Sequence, residues 1–344
     1  MSLLLAGCWD ERLYKNSSVV SLTGFEGKMG DMTAYYAYPE ATTEAMQTIL
    51  ITGHGVSPRA VRQNAELKVE QTLDLSVLST VLISEETAAQ DDLYDYLDIY
   101  FRDATNPITS KIALMQGELK PFFELSEKQQ SASGEFYNRF ITSLEENSMV
   151  IPYTLQTASS ILFEPAQDLA LPYIKMDEEN RPIADGIALF SGRSFTGESL
   201  SATQGVLLNI LNESLGSAAR ISYLHEEGPA SLRINQSKRN ITVSENEIEI
   251  NQKMEVILTE FPQDHLRDKQ IRTELQQFFA EKIEKDMNEV IEKLQKAKCD
   301  ALGLGRIVRA YHPSLYKEEW SEHFATLNIP VKVEVEIVKT GILY

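Results

Sequence analysis

Apolar residues recur at helical spacing along several stretches of the chain. Over residues 93–101 they occupy one face of a predicted helix, and nearby aspartates line its start and its other faces. Ser57 followed by Pro58 is a typical helix start, because serine caps the first turn and proline fits its first position. Residues 135–146 and 153–163 show the same helical spacing.

The longest helical pattern runs from about residue 263 to residue 298. Eight acids balance eight bases over residues 264–298, as expected of a helix with one solvated face. The ordinary use of such a helix is to pack along a sheet. A partner-binding coiled coil is the less favoured alternative, because the apolar repeat is not a sustained heptad.

Alternating and β-branched patterns predict strands between these helices. Residues 19–25 and 32–38 read as a glycine-linked hairpin, and 79–84 as a short buried strand. The last strand, over residues 331–338, alternates apolar with charged side chains, which suits an antiparallel sheet with a helix on one side. Four further segments read as successive antiparallel strands: 231–234, 241–243, 247–250 and 254–258.

The order of these elements predicts an α+β fold rather than a βαβ alternation. We expect antiparallel or mixed sheets with packed helices, and one long helix near the C-terminus. The polar segment 177–182 ends in proline and separates two differently organised halves. It predicts an N-terminal α+β domain of one or two subdomains over 9–180 and a C-terminal α+β domain over 183–344.

Charge narrows the classes of partner. The chain has 32 Lys and Arg against 51 Asp and Glu, a formal net charge of −19. Such an acidic chain repels the phosphate backbone, so we expect no nucleic acid as a partner, and charge does not draw it to anionic lipid. No stretch approaches the roughly 20 apolar residues of a membrane-spanning helix.

Residues that would carry catalysis or hold a metal do not cluster in the sequence. The five histidines are scattered, and the two cysteines, Cys8 and Cys299, form no ligand pattern. Residues 192–196 fail the nucleophile-elbow motif at its last position, and 303–305 lack the third glycine of a dinucleotide loop. We therefore expect no enzyme, no catalytic residue, no metal and no cofactor beyond a covalent lipid.

The lipid is suggested by the N-terminus, where Leu5-Ala6-Gly7-Cys8 matches a bacterial lipobox. The small residues suit a peptidase cleft, and only the thiol of Cys8 forms the thioether to a diacylglyceryl group. Residues 1–8 are then the remaining part of a lipoprotein signal, shorter than a full leader. Two acyl chains hold a protein at a membrane where one would be marginal.

Three blocks in order resemble a known family. They are the N-terminal LAGCWD over 5–10, the central GIALF over 186–190 with FTGESL over 195–200, and CDALGLG over 299–305 with Trp320 downstream. Together they resemble the Ger(x)C lipoproteins, the C subunits of bacterial spore germinant receptors. The resemblance implies a non-enzymatic protein, lipid-anchored through Cys8 to the extracytoplasmic face of the endospore inner membrane. Its implied partners are membrane-spanning A and B subunits, with which it triggers germination by nutrients.

Two questions stay open at the level of sequence. Asp300, Gly303, Gly305 and Trp320 are a candidate partner contact, because glycines permit close approach and an aromatic anchors interfaces. Equally, they could end the long helix, with Trp320 in the core. The alternative function is an extracytoplasmic solute-binding lipoprotein of a transporter, which predicts a cleft between two similar α/β lobes.

Overall fold

The computed structural model describes residues 17–41, 46–128, 133–262 and 269–340. The strands are β1 (Ser17–Val19), β2 (Leu22–Lys28), β3 (Asp31–Ala41), β4 (Met46–Gly55), β5 (Thr72–Asp74), β6 (Thr80–Ser84), β7 (Lys111–Met115), β8 (Ala170–Met176), β9 (Pro182–Ser191), β10 (Ser194–Ser201), β11 (Arg220–His225), β12 (Gly228–Val243), β13 (Ile248–Glu260) and β14 (Val331–Lys339). The helices are α1 (Pro58–Glu66), α2 (Glu85–Gln90), α3 (Leu93–Phe101), α4 (Lys120–Lys128), α5 (Ser133–Glu146), α6 (Leu155–Leu162), α7 (Ala202–Leu211), α8 (Lys269–Lys296), α9 (Leu304–Tyr311) and α10 (Trp320–Phe324).

The larger sheet has eight strands in the order β10-β9-β8-β7-β6-β2-β3-β4. Its centre, β2, β6, β7 and β8, is parallel, and antiparallel hairpins extend it on both sides. Helices cover both faces, so successive side chains of one strand enter different cores. Val81 and Ile83 of β6 lie in one apolar cluster, and Leu82 lies in the other.

The expectation that the chain has no βαβ alternation is wrong for the centre of the eight-stranded sheet. α2 and α3 connect β6 to the parallel β7, and α4, α5 and α6 connect β7 to β8. The prediction of an α+β fold with mixed sheets is nevertheless confirmed, because antiparallel hairpins flank the parallel centre on both sides. The hairpin over β2 and β3, the buried strand β6 and the helix α1 capped by Ser57 are also confirmed.

The smaller sheet has the order β11-β12-β13-β14, and α8 packs along it. The prediction of a long helix on a sheet is thus confirmed, at about 42 Å for 28 residues. Apolar residues from Leu275 to Leu294 face the core at helical spacing. Polar side chains of α8 also accept the N–H groups of the outer strand β14: Glu284 accepts from Val333 and Gln276 from Ile337. These bonds satisfy an edge that would otherwise offer free donors.

Two strand predictions in this sheet are wrong. The segments 231–234 and 241–243 belong to one bulged strand, β12, and 247–250 with 254–258 belong to β13. The polar residues between them pair on a continuous ladder, most of them exposed or half-buried and Gln252 buried, so they do not interrupt the strands. β14 pairs parallel to β13, not antiparallel, because the chain crosses back through α8, α9 and α10 before it returns to the sheet.

The predicted boundary at 177–182 lies in a tight turn between β8 and β9. The N–H of Asp177 donates to the carbonyl of Arg181 over 2.9 Å, and the two strands pair directly. The larger sheet therefore continues across this turn to Ser201. The division into domains over 9–180 and 183–344 stays a prediction.

Candidate functional site

The four residues predicted as a partner contact lie together between the end of α8 and α10. Asp300 is fully buried and Trp320 is 2% exposed. The Asp300 carboxylate accepts the N–H of Leu304 over 3.0 Å, that of Gly305 over 2.7 Å and the indole N–H of Trp320 over 2.8 Å. Asp300 therefore caps the start of α9 and ties it to α10.

Both glycines are required by this geometry. Gly303 has a φ of 65°, in the left-handed region where a side chain adds strain. A Cβ on Gly305 would lie 2.5 Å from the indole nitrogen of Trp320 and 2.7 Å from the carbonyl oxygen of Ala166. The indole packs directly on the backbone of α9, which only a glycine at this position allows.

A second aspartate completes this cluster. The N–H of Asp300 donates to the Asp168 carboxylate over 2.8 Å, and the N–H of Asp168 donates to the Asp300 carbonyl over 3.0 Å. Asp168 also accepts the N–H of Gly192 over 2.8 Å. Burial raises the pKa of Asp168 to about 6, opposed by these N–H donors, and burial also raises the pKa of Asp300. We call Asp168 and Asp300 the aspartate pair.

The aspartate pair joins three distant parts of the chain. Asp168 precedes β8, Gly192 is in the β9–β10 turn, and Asp300 follows α8. The neighbouring Cys299 is fully buried, and its Sγ lies 3.7 Å from the carbonyl oxygen of Leu169. Burial raises the pKa of its thiol well above the usual value, so this cysteine is a packing residue and not a reactive one.

The burial of Trp320 matches the expectation of a core position. The expectation that Asp300 ends the long helix is not met, because α8 ends at Lys296, the left-handed Lys298 follows it, and the Asp300 carboxylate accepts N–H groups of α9 instead. Both carboxylates are closed to solvent and accept N–H groups that hold the backbone and the indole in place, so they lack the access that acid–base chemistry on a substrate needs. Partner contact through Asp300, Gly303, Gly305 and Trp320 stays a prediction. Cys8, the predicted lipid anchor, lies outside the described residues.

An open pocket lies on the other side of Gly303. It has a volume of about 660 Å³ and is lined by residues from the loop before β8, from β12 and from α9. Three arginines share it, Arg239, Arg306 and Arg309, and we call it the arginine pocket. No pattern in the sequence predicts this pocket, because Arg239 lies between the two predicted strands 231–234 and 241–243.

The partners of the three arginines differ. Arg309 pairs with Glu164 over 2.7 Å, and Arg306 donates to the side-chain oxygen of Gln167 over 2.9 Å. Nη1 of Arg239 is buried and has no hydrogen-bond partner among the described residues. Burial lowers the pKa of Arg239, opposed by the charges of Glu213 and Asp300.

In the described ranges, no group of three or more His, Cys, Asp or Glu side chains is placed to hold a metal ion. Within the same ranges, no helix combines the length and apolar character needed to cross a membrane.

Comparison with known proteins identifies relatives of both halves. The family model "Spore germination protein N-terminal domain" matches residues 10–176, and "Spore germination B3/ GerAC like, C-terminal" matches residues 185–341. No curated protein sequence matches the chain significantly. The crystal structure of the GerBC protein has the same fold, with a TM-score of 0.63 and 19% identity over 92% of this chain and 97% of that chain. The two family models together span nearly the whole chain, and the protein belongs to the Ger(x)C family, the C subunits of spore germinant receptors.

Proposed function

We propose that this protein is a non-enzymatic, lipid-anchored subunit of a germinant receptor and is needed for germination triggered by nutrients. It acts at the extracytoplasmic face of the endospore inner membrane, together with membrane-spanning A and B subunits. The observation that carries the proposal is the match of two spore germination family models, in order, to residues 10–176 and 185–341.

Anchoring through Cys8 is supported by the lipobox sequence over residues 5–8. A diacylglyceryl thioether would bury two acyl chains, and each buried methylene contributes about 0.8 kcal/mol. A subunit held in this way reaches its partners by diffusion in the plane of the membrane. The anchor is the one covalent group that the proposal requires.

A role without catalysis is supported by the chemistry of the buried acids. The aspartate pair would be the natural candidate for acid–base work, since burial raises both pKa values. Its oxygens are instead occupied by backbone and indole N–H groups that hold α9 and α10 in place. We therefore assign this cluster to structure, and the function to surface contacts.

The test compares native Cys8 with Cys8→Ala in the full-length precursor, expressed in a sporulating strain that lacks the natural copy. We expect the native form to stay with the membrane, to co-purify with polytopic partners in detergent and to restore nutrient germination. Cys8→Ala should lose membrane retention and germination. Cys299→Ala is the matched control, because it removes the other cysteine from a buried position that no lipid can reach.

One outcome of this experiment would contradict the receptor proposal. A chain that is released from membranes in both forms, and captures no polytopic partner, would overturn the receptor proposal. It would favour the solute-binding lipoprotein instead, and a thermal-shift screen would then test ligand-dependent stabilisation. The described sheets have eight, four and two strands, and they do not form the two similar lobes which that alternative predicts.

A further inference from the structure

The arginine pocket concentrates positive charge on a strongly acidic chain. The protein has a formal net charge of −19, with 19 more acids than bases. Three of its arginines nevertheless line one pocket, and they come from β12 and α9, which are far apart in sequence. Such a concentration against the overall charge favours a local anionic ligand.

The acids near the pocket are already engaged. Both oxygens of Glu164 are in use, one accepting the N–H of Ala166 and the other pairing with Arg309. The Glu213 carboxylate accepts the backbone N–H of Arg239 over 2.9 Å. Arg306 has the neutral Gln167 as its partner, so its charge is not balanced by that contact.

Arg239 provides the second, independent observation. Its Nη1 is removed from water and has no hydrogen-bond partner among the described residues. An unsatisfied buried donor is costly, and more so when it carries charge. A ligand oxyanion in the pocket would lower this cost by electrostatic attraction, which a solvated surface arginine would not gain.

The walls of the pocket are suited to a small organic molecule. Leu302 and Ile307 contribute apolar surface beside the arginines, and the ring of Tyr311 stands at 78% exposure. A volume of about 660 Å³ is in the range of small-molecule sites. Guanidinium groups match carboxylate and phosphate oxygens through paired N–H donors.

We propose that the arginine pocket binds a small-molecule oxyanion, a carboxylate or phosphate group held by Arg239 and Arg306, with the organic part against Leu302 and Ile307. The inference does not depend on the lipid anchor or on the receptor partners. It adds a ligand site to a subunit for which the proposed function requires only protein contacts.

The test is isothermal titration of the purified full-length chain with sodium succinate and, separately, with sodium phosphate. Sodium chloride at matched ionic strength measures the non-specific effect of salt. We expect saturable binding of at least one probe with a stoichiometry near one. Arg306→Gln should weaken that binding about ten-fold, and Arg239→Gln by at least as much.

The variants are chosen so that folding does not obscure the result. Arg306 is exposed, so its replacement leaves the core intact even if Arg239→Gln fails to fold. Arg102→Gln is the matched control, since Arg102 is an exposed arginine paired with Asp98 on α3, outside the pocket. Succinate binding alone assigns the pocket to carboxylates, and phosphate binding alone to phosphates. The proposal is overturned if neither probe binds beyond the chloride control, or if Arg306→Gln and Arg102→Gln bind equally well.

Discussion

On one side of the turn at Gly303 the charged groups are buried and paired, and on the other they are open to a pocket. The Asp300 carboxylate receives three N–H donors and excludes water. In the pocket beyond Gly303, Arg306 of α9 is exposed, and Arg239 of β12 has a nitrogen without a hydrogen-bond partner in the described part of the chain. The segment around Gly303 therefore has two roles: Asp300 fixes the fold on its buried side, and Arg306 and Arg309 line a pocket, together with Arg239 of β12, on its open side.

We expect substitutions on the buried side of the Gly303 turn to lower the free energy of unfolding most. Trp320→Ala removes a large buried side chain and the indole donor to Asp300. We expect a loss of about 4 kcal/mol in the free energy of unfolding, measured by urea denaturation with circular dichroism. Tyr311→Ala is the control, because that ring is 78% exposed and should contribute less than about 0.5 kcal/mol.

The same pair of variants decides the open question about partner contact. If Trp320→Ala unfolds at the same urea concentration as the native chain but no longer co-purifies with the receptor, the indole acts at an interface. Lost stability with no selective loss of assembly identifies it as a core residue.

The next largest expected effect is the pH dependence of stability that Asp168 causes. Burial raises the pKa of Asp168 from 3.8 to about 6, so between about pH 4 and pH 6 the folded chain holds a proton that the unfolded chain has released. The stabilisation is fully present below the unfolded pKa and is lost as the pH rises through the folded pKa. Asp168→Asn does not titrate, so the stability of the native chain relative to this variant should fall across that window by up to about 3 kcal/mol.

Denaturation curves at half-unit steps from pH 4 to pH 7.5 measure this difference. The readout is how the stability difference between the two proteins changes with pH, and not its absolute value. The absolute value also contains a lost hydrogen bond, because the amide of Asp168→Asn supplies only one of the two oxygen acceptors of the carboxylate. Parallel pH profiles for the two proteins would contradict the raised pKa and show that the N–H donors to Asp168 fully offset its burial.

A smaller effect separates the two glycines. Gly305→Ala places a methyl group against the Trp320 indole and should cost about 2 kcal/mol. Gly303→Ala meets the side chain of Gln167 at 3.2 Å and should cost about 1 kcal/mol for its left-handed backbone. Asparagine tolerates that conformation, so Gly303→Asn should recover part of the loss, whereas Gly305→Asn should not. Equal recovery at both positions would contradict this assignment.

Local sequence signals predicted local structure well. The periodic apolar residues of α3 and α8, the Ser57 cap of α1 and the glycine-linked hairpin of β2 and β3 all appear as expected. Each depends on residues within a few positions of one another, where spacing and turn chemistry determine the outcome. The resemblance to a family came from short blocks in order, and the family models bear it out.

Long-range pairing was the part that sequence could not provide. β7 and β8 are short strands whose assignment depends on neighbours far along the chain, and β14 is parallel because of where the chain re-enters the sheet. The candidate site shows the same limit. The sequence points to Asp300, but its partner Asp168 is 132 residues away, and no sequence pattern joins Arg239 to Arg306.

The smallest expected effect on stability is that of Arg306→Gln, on the open side of the Gly303 turn. Arg306→Gln removes an exposed guanidinium whose partner, Gln167, is also at the surface of the pocket. Its free energy of unfolding should therefore stay within about 0.5 kcal/mol of the native value in urea denaturation, since exposed polar contacts contribute little. A loss of several kcal/mol would show that the pocket side supports the fold as the aspartate pair does, and that its arginines are held for structure rather than for a ligand.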